Sequence, residues 1–80
     1  MRPRLGQLKP LPFREVKRRL EALGFTEHSQ KESHVKLIKQ TSGGMVTTIV
    51  PHLREVAAGT QRSILRQADI AIDEWIDLEQ

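Results

Sequence analysis

The spacing of hydrophobic residues changes at Gly24, and the first periodic segment is helical. Apolar side chains recur there at steps of three and four residues, at Phe13, Val16, Leu20 and Leu23. This spacing predicts one amphipathic helix. Pro12 suits the first turn of that helix, and Gly24 suits a left-handed C-terminal cap with Phe25 folding back on the last turn.

From Phe25 to Pro51 the pattern becomes that of extended strands. A polar strand is predicted over 25–30 and a second over 34–40, with Val35 and Leu37 on the face opposite His34. A turn at 41–44 contains two glycines, which we expect to supply the positive φ angles of a tight hairpin. A third strand over 45–50 is rich in β-branched residues. The three strands predict an antiparallel meander.

Residues 52–59 are predicted to form a loop in which 53–56 can make one helical turn. Thr60 is a suitable N-cap for a helix that runs to Ala68. We expect it to bury Ile64 and Leu65 and to turn Arg62 and Arg66 outward. A break at 69–71 precedes a short last helix, whose apolar face is formed by Ile72, Trp75 and Ile76.

The predicted fold class is therefore α+β: a helix, a three-stranded antiparallel sheet, a helix and a short C-terminal helix. Eighty residues allow one domain, which we assign to residues 12–80. Residues 1–11 contain Pro3, Gly6 and Pro10 and three cationic side chains. They are predicted to be a flexible basic arm, and a terminus with no role is the alternative.

Composition removes several classes of function. Without cysteine the chain has no disulfide, thiolate metal site or cysteine nucleophile, which fits a reducing cytoplasm. Its apolar runs are too short to span a membrane, and no secretory signal is visible. The formal net charge is +3. Most Lys and Arg residues lie within residues 1–40, and the charged residues among 69–80 are all acidic. A polyanionic partner is compatible with this distribution.

The candidate chemistry rests on histidine. His28, His34 and His52 are not at metal-ligand spacing, so a metal site is not expected. Gly43-Gly44 joins two strands and is no phosphate-binding loop. Ser33, next to His34 on a strand, would point to the opposite face, which argues against a nucleophilic Ser–His pair.

RNA is a substrate for which one imidazole can suffice. Its 2′-hydroxyl is a built-in nucleophile, so the protein must only move protons and neutralise charge. Histidine exchanges protons near neutral pH, and Lys31 and Lys36 can stabilise a developing negative charge. Taken alone, these residues leave open that His34 is an ordinary surface histidine.

The sequence resembles the HicA-type toxins of prokaryotic toxin–antitoxin systems, which are mRNA interferases. The resemblance spans about residues 12–78 and is carried by Leu20–Phe25, Ser33-His34, Thr48–His52 and Gly59–Ala68. Its most specific part is the Gly-Thr-x-x-x-Ile-Leu-x-Gln-Ala segment. Two positions differ from the family pattern, since Glu32 stands where a glycine usually precedes Ser-His and Asp69 where a glycine usually ends the second helix.

The resemblance implies a double-stranded-RNA-binding-domain-like fold and metal-independent RNA cleavage by His34, with Ser33 as its motif neighbour and no cofactor. It also implies a HicB-type antitoxin that covers the face of His34. We expect mRNA to meet a cationic surface formed by Arg14, Lys17, Arg18, Lys31 and Lys36, in the prokaryotic cytoplasm. His52 is assigned a structural or substrate-adjacent place and His28 an exposed one. The alternatives are a non-catalytic RNA-binding module, in which Glu32 impairs cleavage, and a protein-interaction domain.

Overall fold

A computed structural model describes residues 8–79 of the chain. The elements are α1 (Phe13–Ala22), β1 (Thr26–Lys31), β2 (His34–Thr41), β3 (Gly44–Pro51), α2 (Ala58–Ala68) and α3 (Ile72–Ile76). The antiparallel sheet has the order β1-β2-β3. This arrangement confirms the predicted α+β class and the double-stranded-RNA-binding-domain-like order of helix, three strands and helices.

Helix α1 ends as the sequence predicts. Gly24 has a φ of +100°, so it occupies the left-handed position that follows the helix. The peptide N–H of Phe25 donates to the carbonyl of Leu20 at 3.0 Å, and that of Gly24 donates to Glu21 at 3.0 Å. This pair of bonds is a Schellman motif. It turns Phe25 into the core, where the side chain is 2% exposed.

The two faces of the sheet differ in what covers them. We call one the covered face because its residues are buried; they are Val35, Leu37, Thr48 and Val50. Both helices lie on this side, since Thr48 Oγ1 donates to the carbonyl of Ile64 in α2 at 3.2 Å and Glu27, opposite Leu37, pairs with Lys17 of α1. Alternate residues of the same strands form the other side, the open face, with His34, Lys36, Ile38, Thr47 and Ile49.

The two hairpin turns place positive φ angles differently from the prediction. In the β2–β3 turn only Gly44 is in this region, with a φ of +122°, and Gly43 is not. In the β1–β2 turn a non-glycine residue, Glu32, has a φ of +58°. Crowding around Cβ makes this conformation unfavourable for an L-residue. The glycine expected from the family pattern would relieve that crowding.

The start of α2 corrects two predictions. Residues 53–56 form no helical turn, because Val56 is extended and exchanges two backbone hydrogen bonds with Leu11 at 3.1 and 2.6 Å. The helix begins at Ala58 with Ala57 at the N-cap, so Thr60 lies inside the first turn and is not the cap. No side chain caps this helix. The cap preference of threonine was therefore a misleading signal.

The end of the predicted basic arm is packed against the domain. Leu8 and Leu11 are partly buried on the core, and the carbonyl of Lys9 accepts a hydrogen bond from Gln61 Nε2 at 2.6 Å. Gln61 is itself fully buried and also accepts a hydrogen bond from Trp75 Nε1 at 3.1 Å. Residues 8–11 are thus tied to α2 and α3. The rest of the predicted arm, residues 1–7, lies outside the described residues.

The last two helices meet at a left-handed residue. Asp69 is the C-cap of α2 with φ 59° and ψ 46°, and the N–H of Ile70 donates to Leu65 at 2.9 Å. Its departure from the family's glycine is therefore a matter of capping, as predicted. Helix α3 then buries Trp75 and Ile76. None of the helices within residues 8–79 is long and apolar enough to cross a membrane.

Candidate functional site

His34 is the first residue of β2 and its side chain is exposed. In the sheet it lies opposite Lys31 on one side and Pro51 on the other. Directly opposite residues of antiparallel strands project to the same face. The imidazole therefore stands on the open face, at the end of the sheet, with a lysine beside it.

Lys36 follows His34 on the same face, because two residues separate equivalent positions of a strand. It lies opposite Ser29 and Ile49. Among residues 8–79 neither Lys31 nor Lys36 makes an ion pair or a side-chain hydrogen bond. The two ammonium groups are therefore available to an anion that approaches His34. The two lysines share the open face with His34, and their role in binding or catalysis stays a prediction.

Ser33 and Glu32 form the turn that leads into His34. The carbonyl of Ser33 accepts a hydrogen bond from the peptide N–H of His52 at 2.6 Å, and that of Glu32 accepts one from Gln30 Nε2 at 3.1 Å. Ser33 precedes the strand, so the prediction of its direction from strand alternation does not apply. In the described part of the chain its hydroxyl has no hydrogen bond to His34.

His52 directly follows β3, whose last residue, Pro51, lies opposite His34. Its ring stacks on Phe13 of α1, with the ring centroids 4.0 Å apart and the planes at 25°. His28 is the residue at which the β1–β2 register shifts, and it is exposed. His28 is exposed on the edge strand, as predicted. The predicted structural or substrate-adjacent place of His52 stays a prediction.

Lys17 and Arg18 are engaged within the protein. Lys17 Nζ lies 2.7 Å from Glu27 Oε1, and this contact raises the pKa of the lysine. Arg18 donates two hydrogen bonds to Glu15, at 2.9 and 2.7 Å, and one to the carbonyl of Leu78 at 2.7 Å. The hydrogen bonds from Arg18, together with a hydrogen bond from Arg19, lower the pKa of Glu15 to about 2.

Arg19 shares Glu15 with Arg18 but is buried. It donates to Glu15 Oε2 at 2.7 Å and to the carbonyl of Trp75 at 3.3 Å, and its guanidinium lies 5.5 Å from the Trp75 ring centroid. Only 5% of the residue is exposed. Through these contacts Arg19 links α1 to α3.

Acidic and imidazole side chains are dispersed over the described region. No three of them within residues 8–79 are grouped so that they could hold a metal ion. Within the described residues, the open face therefore presents the exposed imidazole of His34 with two ammonium groups that make no ion pair.

Comparison with protein families shows to which family the chain belongs. The model of the HicA toxin of bacterial toxin–antitoxin systems matches residues 13–70. The chain belongs to the HicA toxin family. A comparison with curated proteins found no match. The predicted family resemblance is confirmed over the segment from the start of α1 to the end of α2.

As a member of this family, the protein is the toxin of a toxin–antitoxin system and has an antitoxin as its partner. The family match includes His34, Lys31 and Lys36, which the sheet brings together. Lys17 and Arg18 are instead bound in ion pairs on the covered side. The cationic surface predicted for this HicA toxin therefore divides into two parts.

Sequence reasoning missed Arg54 beside this site. Arg54 follows β3 and lines a cleft with Arg14, Phe13 and His52. The prediction placed residue 54 in a possible helical turn, and Phe13 was assigned only to the core. A charged residue three positions after the strand-ending Pro51 was the available signal.

Proposed function

We propose that this HicA toxin is a metal-independent endoribonuclease that cleaves mRNA with His34 and thereby stops translation. The observation that carries the proposal is the exposed imidazole of His34, on the open face beside Lys31 and Lys36, neither of which makes an ion pair within residues 8–79. Because prokaryotic mRNA is translated in the cytoplasm, we propose that the protein acts there.

His34 has the chemistry to start cleavage by proton transfer. The neutral imidazole accepts the proton of a ribose 2′-hydroxyl while the 2′-oxygen attacks the adjacent phosphorus. The bond from phosphorus to the 5′-oxygen breaks, and that oxygen takes a proton from the imidazolium or from water. The products are a 2′,3′-cyclic phosphate and a 5′-hydroxyl end. No metal or redox partner is needed for the balance of this step.

Lys31 and Lys36 contribute electrostatically. Negative charge on the phosphoryl oxygens increases as the phosphorane forms, and preorganised cations stabilise it more than they stabilise the starting phosphate. Both lysines lack internal ion pairs among the described residues. Each can therefore face the phosphate without first breaking a contact within the protein.

Glu32 makes the surroundings of His34 less positive. It is exposed in the turn two residues before His34, and its carboxylate adds a negative charge near the approach of a phosphate. This acid favours the second candidate, a module that binds RNA without cleaving it. A third candidate, a domain that only binds proteins, rests on the basic surface alone.

For the antitoxin we propose a HicB-type protein that covers the open face. Ile49 and Met45 are exposed there, at 38% and 59%, and apolar side chains on a sheet face with no covering layer suit a protein partner. Covering this face would also block access to His34. Inhibition would then require no change in the toxin's fold.

The test is cleavage of end-labelled RNA by the purified protein in EDTA. Cleavage that disappears in His34→Ala, and also when the RNA carries 2′-deoxyribose at the cut position, supports the nuclease. RNA binding without cleavage by both proteins supports the module. If the protein neither binds nor cleaves RNA, the third candidate, a domain that only binds proteins, remains.

A further inference from the structure

A cleft of about 370 Å³ lies on the other side of the strand end from His34. It is formed by the start of α1 and the segment after β3, and its lining residues are Pro12, Phe13, Arg14, His52, Leu53 and Arg54. We infer that this cleft is a second RNA subsite, which holds one unstacked nucleotide of a single-stranded substrate beside the bond to be cut. The inference rests on the proposed function and extends it.

The aromatic pair gives the cleft a stacking surface for a base. One face of the His52 imidazole covers the Phe13 ring at 4.0 Å, and His52 is nevertheless exposed. We expect its other face to be the one that a base contacts. Unpaired bases of RNA stack on histidine and phenylalanine rings, and stacking tolerates any base because every base has a π-face.

Two arginines give the cleft a positive charge for the phosphate. Arg14 and Arg54 are exposed, and within residues 8–79 neither makes an ion pair or a side-chain hydrogen bond. No carboxylate is among the residues that line the cleft. A guanidinium presents a planar pair of donors that matches phosphate oxygens. This set of groups recognises a nucleotide better than it recognises an apolar ligand.

The backbone couples the cleft to His34. Pro51 lies opposite His34, and the N–H of His52 donates to the carbonyl of Ser33 at 2.6 Å. Strand spacing then puts the Cα atoms of His34 and His52 within about 10 Å. This distance suits neighbouring nucleotides of one RNA strand. Since His34 is on the open face and His52 contacts α1, the RNA must turn around the end of β3.

That turn selects for single strands. A base can enter the cleft only if it leaves its own stack, and bases of loops and unpaired segments are the ones that splay outward. A continuous duplex keeps its bases paired and cannot place one on His52. The toxin should therefore bind unpaired RNA through the cleft, although its fold resembles a double-stranded-RNA-binding domain.

The cleft is tested by binding in a non-cleaving background. In His34→Ala, we compare Arg14→Gln/Arg54→Gln and His52→Ala with Arg66→Gln, using fluorescence anisotropy of a short unpaired RNA and of the same sequence as a duplex. Arg66 is an exposed arginine of α2 outside the cleft. We expect His52→Ala to weaken binding of the unpaired RNA by about 5- to 100-fold, the range for loss of one stacked base.

The arginine double variant should also weaken that binding, and Arg66→Gln should weaken it less. In the protein that retains His34, the cleft variants should raise KM more than they lower kcat. Thermal unfolding of each variant shows whether the fold is kept. A variant that binds less RNA with an unchanged unfolding temperature supports the subsite.

Three results would overturn the inference. In the first, the cleft variants bind RNA as tightly as Arg66→Gln does. In the second, the His34→Ala protein binds the duplex as tightly as the unpaired RNA. In the third, the cleft variants lose affinity for the antitoxin while their RNA affinity is unchanged. If His34-dependent cleavage persists in those cases, the proposed function stands and only the subsite fails. If the protein with intact His34 neither binds nor cleaves RNA, the proposed function fails first.

Discussion

The cations of this toxin form two groups with different surroundings. The helix cations, Lys17, Arg18 and Arg19, contact carboxylates of the same chain at 2.7 Å. A second group consists of Arg14, Lys31, Lys36 and Arg54, which we call the strand-end cations because they lie around the end of the sheet at His34 and around the cleft, although Arg14 belongs to α1. They have no such contact among residues 8–79. In sequence both groups look alike. Positive charge is therefore evidence of a binding surface only where the fold leaves it without an internal partner.

The same division separates stability from function. Glu15 holds Arg18 and Arg19 together and joins α1 to α3 through Arg19 and Trp75. The strand-end cations surround His34 and the cleft and contribute little to packing. Changes at Glu15 or Arg19 should therefore destabilise the fold, whereas changes in the strand-end cations should affect RNA binding.

The largest expected effect is on the helix cations. Glu15→Gln leaves the buried Arg19 without its carboxylate, which should lower the free energy of unfolding by about 2–3 kcal/mol. Glu21→Gln is the matched control, since Glu21 is exposed and reaches Lys17 only at 4.0 Å. Urea unfolding measures both. Equal losses in the two variants would show that the Glu15 cluster does not stabilise the fold.

Acid should reveal the same cluster. The folded-state pKa of Glu15 is about 2, below its ordinary value of 4.5. A lowered pKa means that the stability it contributes is present above about pH 4.5 and is lost as pH falls towards 2. The difference in unfolding free energy between the natural protein and Glu15→Gln should shrink over that range. A difference independent of pH would contradict this assignment.

A smaller effect is expected where a non-glycine residue is left-handed. Glu32→Gly and Asp69→Gly should each raise the free energy of unfolding by about 0.5–1 kcal/mol, because glycine tolerates a φ near +58°. Only Glu32→Gly should also raise RNA cleavage, since it removes an acid from among the strand-end cations. Lower cleavage in Glu32→Gly would give the carboxylate a positive role, such as orienting His34.

The smallest effect concerns single cations and RNA affinity. Lys36→Gln should weaken RNA binding and reduce the slope of log affinity against log salt by about 0.7, the value for one phosphate contact with a single strand. Lys17→Gln removes the same charge from an internal ion pair and should leave the slope nearly unchanged. Anisotropy titrations at several salt concentrations measure both. Equal slopes for the two variants would remove the distinction between the groups.

The sequence predicted the parts of the fold that depend on local patterns. Three- and four-residue spacing located α1, Gly24 located its end, and strand alternation put Val35 and His34 on opposite faces. The N-cap of α2 was wrong because the pairing of Val56 with Leu11, a contact 45 positions apart in the chain, decides where the helix can begin.

The site was predictable in residue type and only partly in arrangement. His34, Lys31 and Lys36 follow from the strand register, which a hairpin fixes locally. The ion pair of Lys17 depends on Glu27 in β1, and the hydrogen bond of Arg18 to the carbonyl of Leu78 joins α1 to the segment after α3. Tertiary packing decides both contacts, whereas the ion pair of Arg18 with Glu15 is local to α1. The cleft needed the same information, because Phe13 and His52 meet only after the sheet has closed on α1.

The most direct measurement is the rate of RNA cleavage in EDTA by His34→Ala compared with His28→Ala. Both histidines are exposed on the sheet, so each change should alter the free energy of unfolding by less than about 0.5 kcal/mol. We expect that His28→Ala cleaves like the natural protein, whereas His34→Ala loses about 10²–10⁴-fold in rate. Equal rates in the two folded variants would contradict the central claim that His34 is the catalytic residue.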